Sequence, residues 1–551
     1  MTMLLELMPN CELFDVFVGL VALLGTACAL LSDEVFPQYW VLCELLPIPH
    51  GKYQEVESVL ATLRGYTTSA IQDLLRQLLS IPAKIAAIVT SASRLVGTTP
   101  KKVRLLLLVR RFRKIARSLN HMTVLMVKNS LNMPIRPGET EVESYLDLKR
   151  NFGDSWPFMW EMRDVKDETV SVSGTKAHIM SSYSYLDFLR DERVQEAAIA
   201  AARQYATGNH GPRMLGGNTH ILRQLESKLA AFFGREGCLV VSAGFLACMS
   251  CIIGVARKGD LLFVDSRAHA SLRTGLKLCG GKVVYFKHHD YKDAERMIKK
   301  HLPRYRGKRV VWMVVESIYS MDGDIAHLPS VWGLCQKYDM KLIIDEAHGL
   351  GVLGKTGRGL EEYYGLPGIA TLICGTFSKS LASVGGYIVG SHDLIEFLDF
   401  HSPGNVFSAP CSAYHAGAAM KALELIDAEP WRITETQEMA KYLRNALETG
   451  NGLWPAEYPD ELKWELEGDE DSVVIPVVFP DDPDRMLLSA DKLRRKGYMV
   501  SAVCAPACPL RRPRFRITAN YALTKEVVDD FVRVMVETIV EMPQYVPKDL
   551  F

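Results

Sequence analysis

The 551-residue sequence predicts an α/β fold with a mostly parallel central sheet, a smaller C-terminal α+β domain, and a helical, membrane-associated N-terminal extension. Three observations lead there. From about residue 180, short apolar runs at 238–242, 261–264, 282–286, 310–315, 341–344, 371–374 and 386–390 alternate with helix-length amphipathic segments. Runs of this kind, rich in Val and Ile, read as strands of a sheet covered on both faces. Beyond about residue 430 such runs become fewer, as in a smaller α+β unit. Ahead of about residue 135 the texture is apolar and basic instead.

These shifts divide the chain into a helical extension over 1–135, an arm over 136–180, a large domain over 181–430 and a small domain over 431–551. Residues 412–427 (SAYHAGAAMKALELID) read as a long linking helix. Apolar residues make up 48% of the chain and charged ones 23%, a balance able to bury large cores. Lys plus Arg and Asp plus Glu both number 64, so no net charge directs the chain to nucleic acid. The twelve cysteines are scattered. Cys248 and Cys251, or Cys504 and Cys508, have no second pair at zinc-site spacing, and read as reduced, buried thiols.

Within the extension, residues 16–31 (VFVGLVALLGTACALL) carry no charge. Extending back to Leu13 takes in Asp15 and approaches the ~20 residues that cross a bilayer. No basic segment precedes it, which argues against a cleaved signal peptide. A buried helix would also accommodate this stretch, and Asp15 suits that alternative. Eight Lys and Arg residues between 101 and 117 surround the apolar 105–109. Such a helix either lies on an anionic leaflet or packs, solvated on one side, against the body. If 13–31 spans a membrane, the positive-inside bias leaves the rest of the chain in the cytosol.

The chemistry gathers at strand ends. Asp345-Glu-Ala-His348-Gly follows the apolar 341–344, where polar groups face the ligand crevice of an open α/β sheet. A helicase motif would need an upstream Gly-x-x-x-x-Gly-Lys-Ser/Thr loop, and the sequence has none. Lys379 sits just past the next short run, within GTFSKSLASVGG. An aspartate, a histidine and a strand-end lysine form a consistent set for pyridoxal 5'-phosphate (PLP). The lysine forms a Schiff base with the aldehyde, and the aspartate pairs with the pyridine nitrogen. Thr376 and Ser378 offer hydroxyls to the phosphate, and Gly385 and Gly386 allow close backbone approach.

With these residues in place, the sequence from about 183 to 524 resembles the α-oxoamine synthases, PLP enzymes of fold type I, and serine palmitoyltransferase-like members most. Ser-Tyr-Leu at 184–186, Gly208-Asn-His-Gly211-Pro-Arg213 and Ser242-Ala-Gly244-Phe245 resemble the family's opening segment, glycine-rich loop and phosphate loop. Glu316-Ser-Ile-Tyr-Ser320-Met-Asp-Gly-Asp324, Gly375-Thr-Phe-Ser-Lys379 and Arg514-Phe-Arg516 resemble further family motifs. The resemblance implies that His269 stacks on the cofactor ring and that Ser320 and His348 lie at its phenolic oxygen. It implies that Gly244, Phe245, Thr376, Ser378 and Ser408 hold phosphate, Ser408 from a neighbouring subunit, and that Arg516 binds a substrate carboxylate. Asn520-Tyr-Ala-Leu-Thr524 has leucine where members commonly carry histidine, and Pro212 replaces a frequent serine.

The reaction implied is decarboxylative condensation of an amino acid with an acyl-CoA or acyl-carrier thioester, with Lys379, His269 and Asp345 as its catalytic residues. The apolar extension favours a long acyl chain, serine as the amino acid, and a membrane-bound enzyme, at the endoplasmic reticulum with its catalytic domain in the cytosol. Release of a chain from a carrier protein in sphingolipid-like biosynthesis remains an alternative, as does a non-catalytic subunit of a membrane complex. The family implies a dimer, either of identical chains or with a related subunit. Adjacent His288 and His289 would point to opposite faces of a strand, and read as surface or turn residues rather than metal ligands.

Overall fold

A computed structural model of the chain describes residues 157–542 apart from 167–168, 305–309, 481, 506 and 510. The extension over 1–135 and its apolar 13–31 segment lie outside the described residues. Among the described residues, no helix is long and apolar enough to cross a membrane.

The chain first forms a meander of β1 (Met162–Lys166), β2 (Thr169–Val172) and β3 (Thr175–Ile179), then α1 (Glu192–Tyr205) and α2 (His220–Phe232). Strands and helices then alternate. β4 (Gly237–Val241), α3 (Gly244–Val255), β5 (Leu261–Asp265), α4 (Ala270–Leu278) and β6 (Lys282–Phe286) lead to α5 (Tyr291–His301). β7 (Val311–Glu316), α6 (Leu328–Tyr338), β8 (Lys341–Asp345), β9 (Leu372–Thr376) and β10 (Gly386–Gly390) complete a seven-stranded sheet. Its order is β4-β10-β9-β8-β7-β5-β6. β5 to β9 run parallel, whereas β10 is antiparallel to both β4 and β9. The sheet is therefore mixed, a point the apolar runs alone did not reveal: a strand buried on both faces reads the same in either direction.

Leu262, Val264, Val314, Ile343, Leu372 and Ile388 are buried in one core cluster under α3 and α4. Each fully buried side chain of this size contributes about 1.5–3 kcal/mol from its removal from water. The chain leaves the sheet through α7 (His392–His401) and α8 (Ala413–Ala428), the expected linking helix. α8 lies so close to α1 that a Cβ on Gly417 would come 2.7 Å from the Ala197 carbonyl oxygen.

The C-terminal part consists of α9 (Trp431–Thr449), β11 (Glu465–Leu466), β12 (Val474–Val478), α10 (Pro483–Arg495), β13 (Tyr498–Met499), β14 (Ser501–Val503), β15 (Arg514–Thr518) and α11 (Lys525–Glu541). A four-stranded sheet has the order β11-β12-β15-β14. The remaining strand, β13, pairs parallel with β3, so the meander and the C-terminal part share a sheet.

His288 and His289 lie in the turn after β6, as read from the sequence, but their rings are not sent to opposite faces. β6 ends at Phe286, and His289 takes a left-handed backbone with φ 54°. That reversal breaks the strand alternation and brings the His288 and His289 rings to 4.4 Å. Neither histidine is a plain surface residue, because His288 is ion-paired to Asp265 and Asp324.

Candidate active site

The register of the central strands places three acidic or hydroxyl side chains along one edge. Glu316 at the end of β7 lies opposite Asp345 at the end of β8, which lies opposite Cys374, two residues before Thr376 at the end of β9. These are the C-terminal ends of parallel strands, where an open α/β sheet forms its crevice. Asp345 is buried and its carboxylate is held from two sides. Oδ1 accepts the Ala347 N–H at 2.9 Å and Oδ2 accepts the Cys248 thiol at 3.1 Å. The Ser317 hydroxyl donates to the Asp345 carbonyl at 3.1 Å.

Lys379 follows β9. Among the described residues its amine makes no hydrogen bond or ion pair, and lies 5.7 Å from the Tyr183 ring centre. Burial lowers its pKa to about 8, with the charges of Asp345 and Glu316 opposing the shift. On the same ring sits the Arg516 guanidinium, 4.4 Å from its centre. Arg516 is buried, and its Nε has no hydrogen-bond partner.

Two histidines complete this side. His348 is buried and its Nδ1 lies 2.8 Å from the Tyr185 hydroxyl. Burial, then the charges of Lys379 and Arg516, push it well below the usual histidine range, so it is neutral. His269 caps α4, its Nδ1 accepting the Ser271 N–H at 3.2 Å and lying 2.7 Å from the Ser271 hydroxyl. The His269 backbone N–H donates to the Glu316 carboxylate. Burial lowers the His269 pKa against the pull of Asp345. Burial, with Asp345 beside it, raises that of Glu316 well above the ordinary carboxylate range.

The third feature is an anion cradle. α3 starts at Gly244 behind Ala243, with no side chain capping its N-terminus. Free N–H groups at a helix start favour an anion. A Cβ on Gly244 would come 2.4 Å from the Thr376 hydroxyl, so glycine alone brings α3 this close to β9. Thr376 and Ser378 hydroxyls lie 2.9 Å apart, and Ser408 lies 3.3 Å from Ser242 of the same chain. The Phe245 side chain is exposed, leaving its backbone as the part turned to the cradle.

The structure thus brings Lys379, Asp345, His348 and Arg516 around Tyr183 and the ends of β7–β9, with His269 tied to Glu316. Ser320 is buried in the turn after β7. Sequence reasoning assigned no role to Tyr183, Tyr185, Cys248 or Glu316. Tyr185 and Glu316 stood inside quoted motifs, and a search for polar partners of the motif histidines would have found them. Cys248 gave no such signal, since it reads as one more buried thiol. An unpaired, half-buried amine, a buried carboxylate at a strand end and an uncapped helix start together fit PLP, which offers an aldehyde, a basic ring nitrogen and a phosphate.

Residues 178–535 match the family model of aminotransferase class I and II. The chain is 33% identical over 383 residues to serine palmitoyltransferase of Bacteroides thetaiotaomicron, covering 69% of this chain and 92% of that protein. It is likewise 33% identical over 369 residues to 8-amino-7-oxononanoate synthase of Maricaulis maris, covering 67% and 88%. A solved structure of SPT with the PLP internal aldimine superposes with a TM-score of 0.66 at 25% identity, over 72% of this chain and 96% of that one. The chain belongs to the α-oxoamine synthases, the PLP-dependent acyltransferases within aminotransferase class I and II.

Proposed function

We propose that this chain condenses serine with a long-chain acyl thioester, releasing CO2 and forming a 3-keto long-chain base. The observation that carries the amino-acid half is the pairing of Lys379 and Arg516 across the Tyr183 ring. A buried guanidinium with an unpartnered Nε suits a carboxylate, which it binds through paired N–H donors. Relatives named serine palmitoyltransferase and 8-amino-7-oxononanoate synthase are equally similar, so the acyl half rests on the apolar 13–31 segment. Attachment to a membrane suits a donor with a long tail.

PLP, held covalently by Lys379, supplies an electron sink for the α-carbon of the amino acid. Asp345, fixed by Ala347 and Cys248, keeps the ring nitrogen protonated. His348, neutral and anchored at Nδ1 by Tyr185, would hold the phenolic oxygen together with Ser320, and His269 would hold the ring. The backbone of Gly244 and Phe245, with Thr376, Ser378 and Ser408, holds the phosphate. Arg516 orients the substrate carboxylate. The free Lys379 amine would take or return a proton at the α-carbon, and its pKa, lowered to about 8 by burial, leaves part of it neutral at physiological pH. On this reading the enzyme acts as a dimer at the endoplasmic reticulum, with its catalytic part in the cytosol.

The test is a product assay by mass spectrometry, with the purified protein offered several amino acids and acyl-CoAs of graded chain length. Serine with long acyl chains is the expected pair. Preference for short acyl chains would overturn the substrate assignment, and turnover only from an acyl-carrier protein would move the donor.

A further inference from the structure

The reversed backbone after β6 gathers ligand-bearing side chains that the condensation does not use. His288, His289 and Asp324 each offer one ligand atom, and these atoms lie within 4.8 Å of one another. His288 Nε2 is 2.8 Å from Asp324 Oδ2. Its other nitrogen, Nδ1, lies 2.8 Å from Asp265 Oδ1, while Asp265 Oδ2 accepts the His289 N–H at 3.2 Å. A carboxylate behind one imidazole nitrogen is the usual support of a metal-binding histidine, and here the opposite nitrogen faces Asp324, the other candidate ligand.

Two further observations concern His289. His289 Nε2 is buried and has no hydrogen-bond partner. And His289 holds a left-handed backbone, φ 54°, which costs a non-glycine residue energy and is what turns its ring to the same side as that of His288. The Tyr319 ring closes the cluster edge-on, at 4.6 Å from His288 and 5.5 Å from His289. The surrounding charge favours a cation. Asp322 is already engaged by Arg267 and Arg514, and Asp469 points a carboxylate at the Ile325 N–H next to Asp324.

We infer that His288, His289 and Asp324 form a site for one divalent transition-metal ion, with Asp265 as the hydrogen-bonded support of His288 and water completing the coordination. Two imidazoles and one carboxylate suit zinc, cobalt or nickel, whereas magnesium and calcium prefer all-oxygen sites. Metal–ligand bonds of about 2.0–2.2 Å in a tetrahedral site put neighbouring ligand atoms roughly 3.3–3.6 Å apart, a spacing reached from this cluster by small side-chain rotations. The ion would clip the turn after β6 to the loop that carries Ser320, Asp322 and Asp324. A proton shared by His288 and its two carboxylates is the competing occupant of the same geometry.

The test uses the PLP-loaded full chain, equilibrated with Co(II), desalted and read by elemental analysis and visible absorbance. Because His289 Nε2 makes no hydrogen bond, His289→Asn removes a ligand atom without breaking a hydrogen bond there, although it gives up ring contacts with His288 and Tyr319, and Asp324→Asn removes a second. The wild type is expected to hold one Co(II) per chain more than either variant, with d–d bands of a nitrogen and oxygen site rather than thiolate charge transfer. Equal metal content in all three proteins overturns the site and leaves the proton as its occupant. Should the variants fail to fold, diethyl pyrocarbonate labelling of the wild type decides. Zn(II) must protect the peptide containing His288 and His289, and unchanged labelling sinks the proposal.

Discussion

Replacing Lys379 with methionine in the cofactor-free protein tests the electrostatics of the site without any turnover. Burial lowers the Lys379 pKa from an ordinary 10.5 to about 8. The unfolded chain therefore binds more protons between those values, and stability rises with pH across that window as the penalty for burying the charge is relieved. At pH 7 the penalty is about 3 kcal/mol, and at pH 9.5 it falls to about 1.4 kcal/mol. Methionine has similar length and no charge, so Lys379→Met should stabilise the cofactor-free protein by up to about 3 kcal/mol at pH 7, with the gain shrinking toward pH 10.5. Denaturant unfolding at a series of pH values, with PLP removed, measures it. The same amine must be neutral to capture PLP, so wild-type binding should accelerate about tenfold per pH unit up to about 8 and then level off. A variant no more stable than the wild type at pH 7, or a capture rate still climbing at pH 10, would refute the lowered pKa.

Three other perturbations separate the roles around Tyr183. Arg516→Gln should raise the KM for the amino acid by roughly 10- to 150-fold, the loss of about 1.5–3 kcal/mol of charge-assisted hydrogen bonding, while absorbance of bound PLP stays unchanged. Tyr185→Phe strands the buried His348 Nδ1 and should cost about 1–3 kcal/mol of stability in denaturant unfolding. Arg514→Met removes one of two cations from each of Asp322, which keeps Arg267, and Glu467, which keeps Arg512, and should cost about 1–3 kcal/mol, read as a lowered unfolding midpoint.

What the sequence made legible follows from distance along the chain. Strands buried on both faces must be continuously apolar, so 261–264, 341–344 and 371–374 announced β5, β8 and β9 almost to the residue. Asp345 and Thr376 close two of these strands and Lys379 follows the second, so their place at one edge was readable as well. Direction and partnership were not. Nothing local marks β10 as antiparallel, or pairs Met499 with Ile179 across more than three hundred residues. Cys248 meets Asp345 only because α3 packs over β9, and that crossing is set by Gly244 and Gly386 rather than by any feature of the cysteine. The His288–His289 pair was legible as a turn, but not the shared side of its rings: both residues lie past Phe286, where strand alternation no longer applies.

The arginine pair on β15 shows how structure resolves what a motif leaves ambiguous. Arg514 and Arg516 stand two residues apart on one strand, so strand geometry sends both side chains to the same face, and both are buried. Burying two guanidiniums is tolerable only if each finds an anion. Arg514 has two, Asp322 at 3.2 Å and Glu467 at 2.7 Å, and also donates to the Met321 carbonyl at 2.9 Å. Arg516 has none among the described residues; it rests on the Tyr183 ring, next to the unpaired Lys379. The first arginine thus has its charge met within the fold, although one of its terminal nitrogens lacks a hydrogen bond, and it ties β15 to the loop after β7. The second is left for an anion the chain does not supply. An α-amino acid brings that anion as its carboxylate, on the carbon whose nitrogen must reach the Lys379 position. The two variants should therefore fail differently: Arg514→Met by unfolding more readily, Arg516→Gln by folding normally and binding its amino acid poorly.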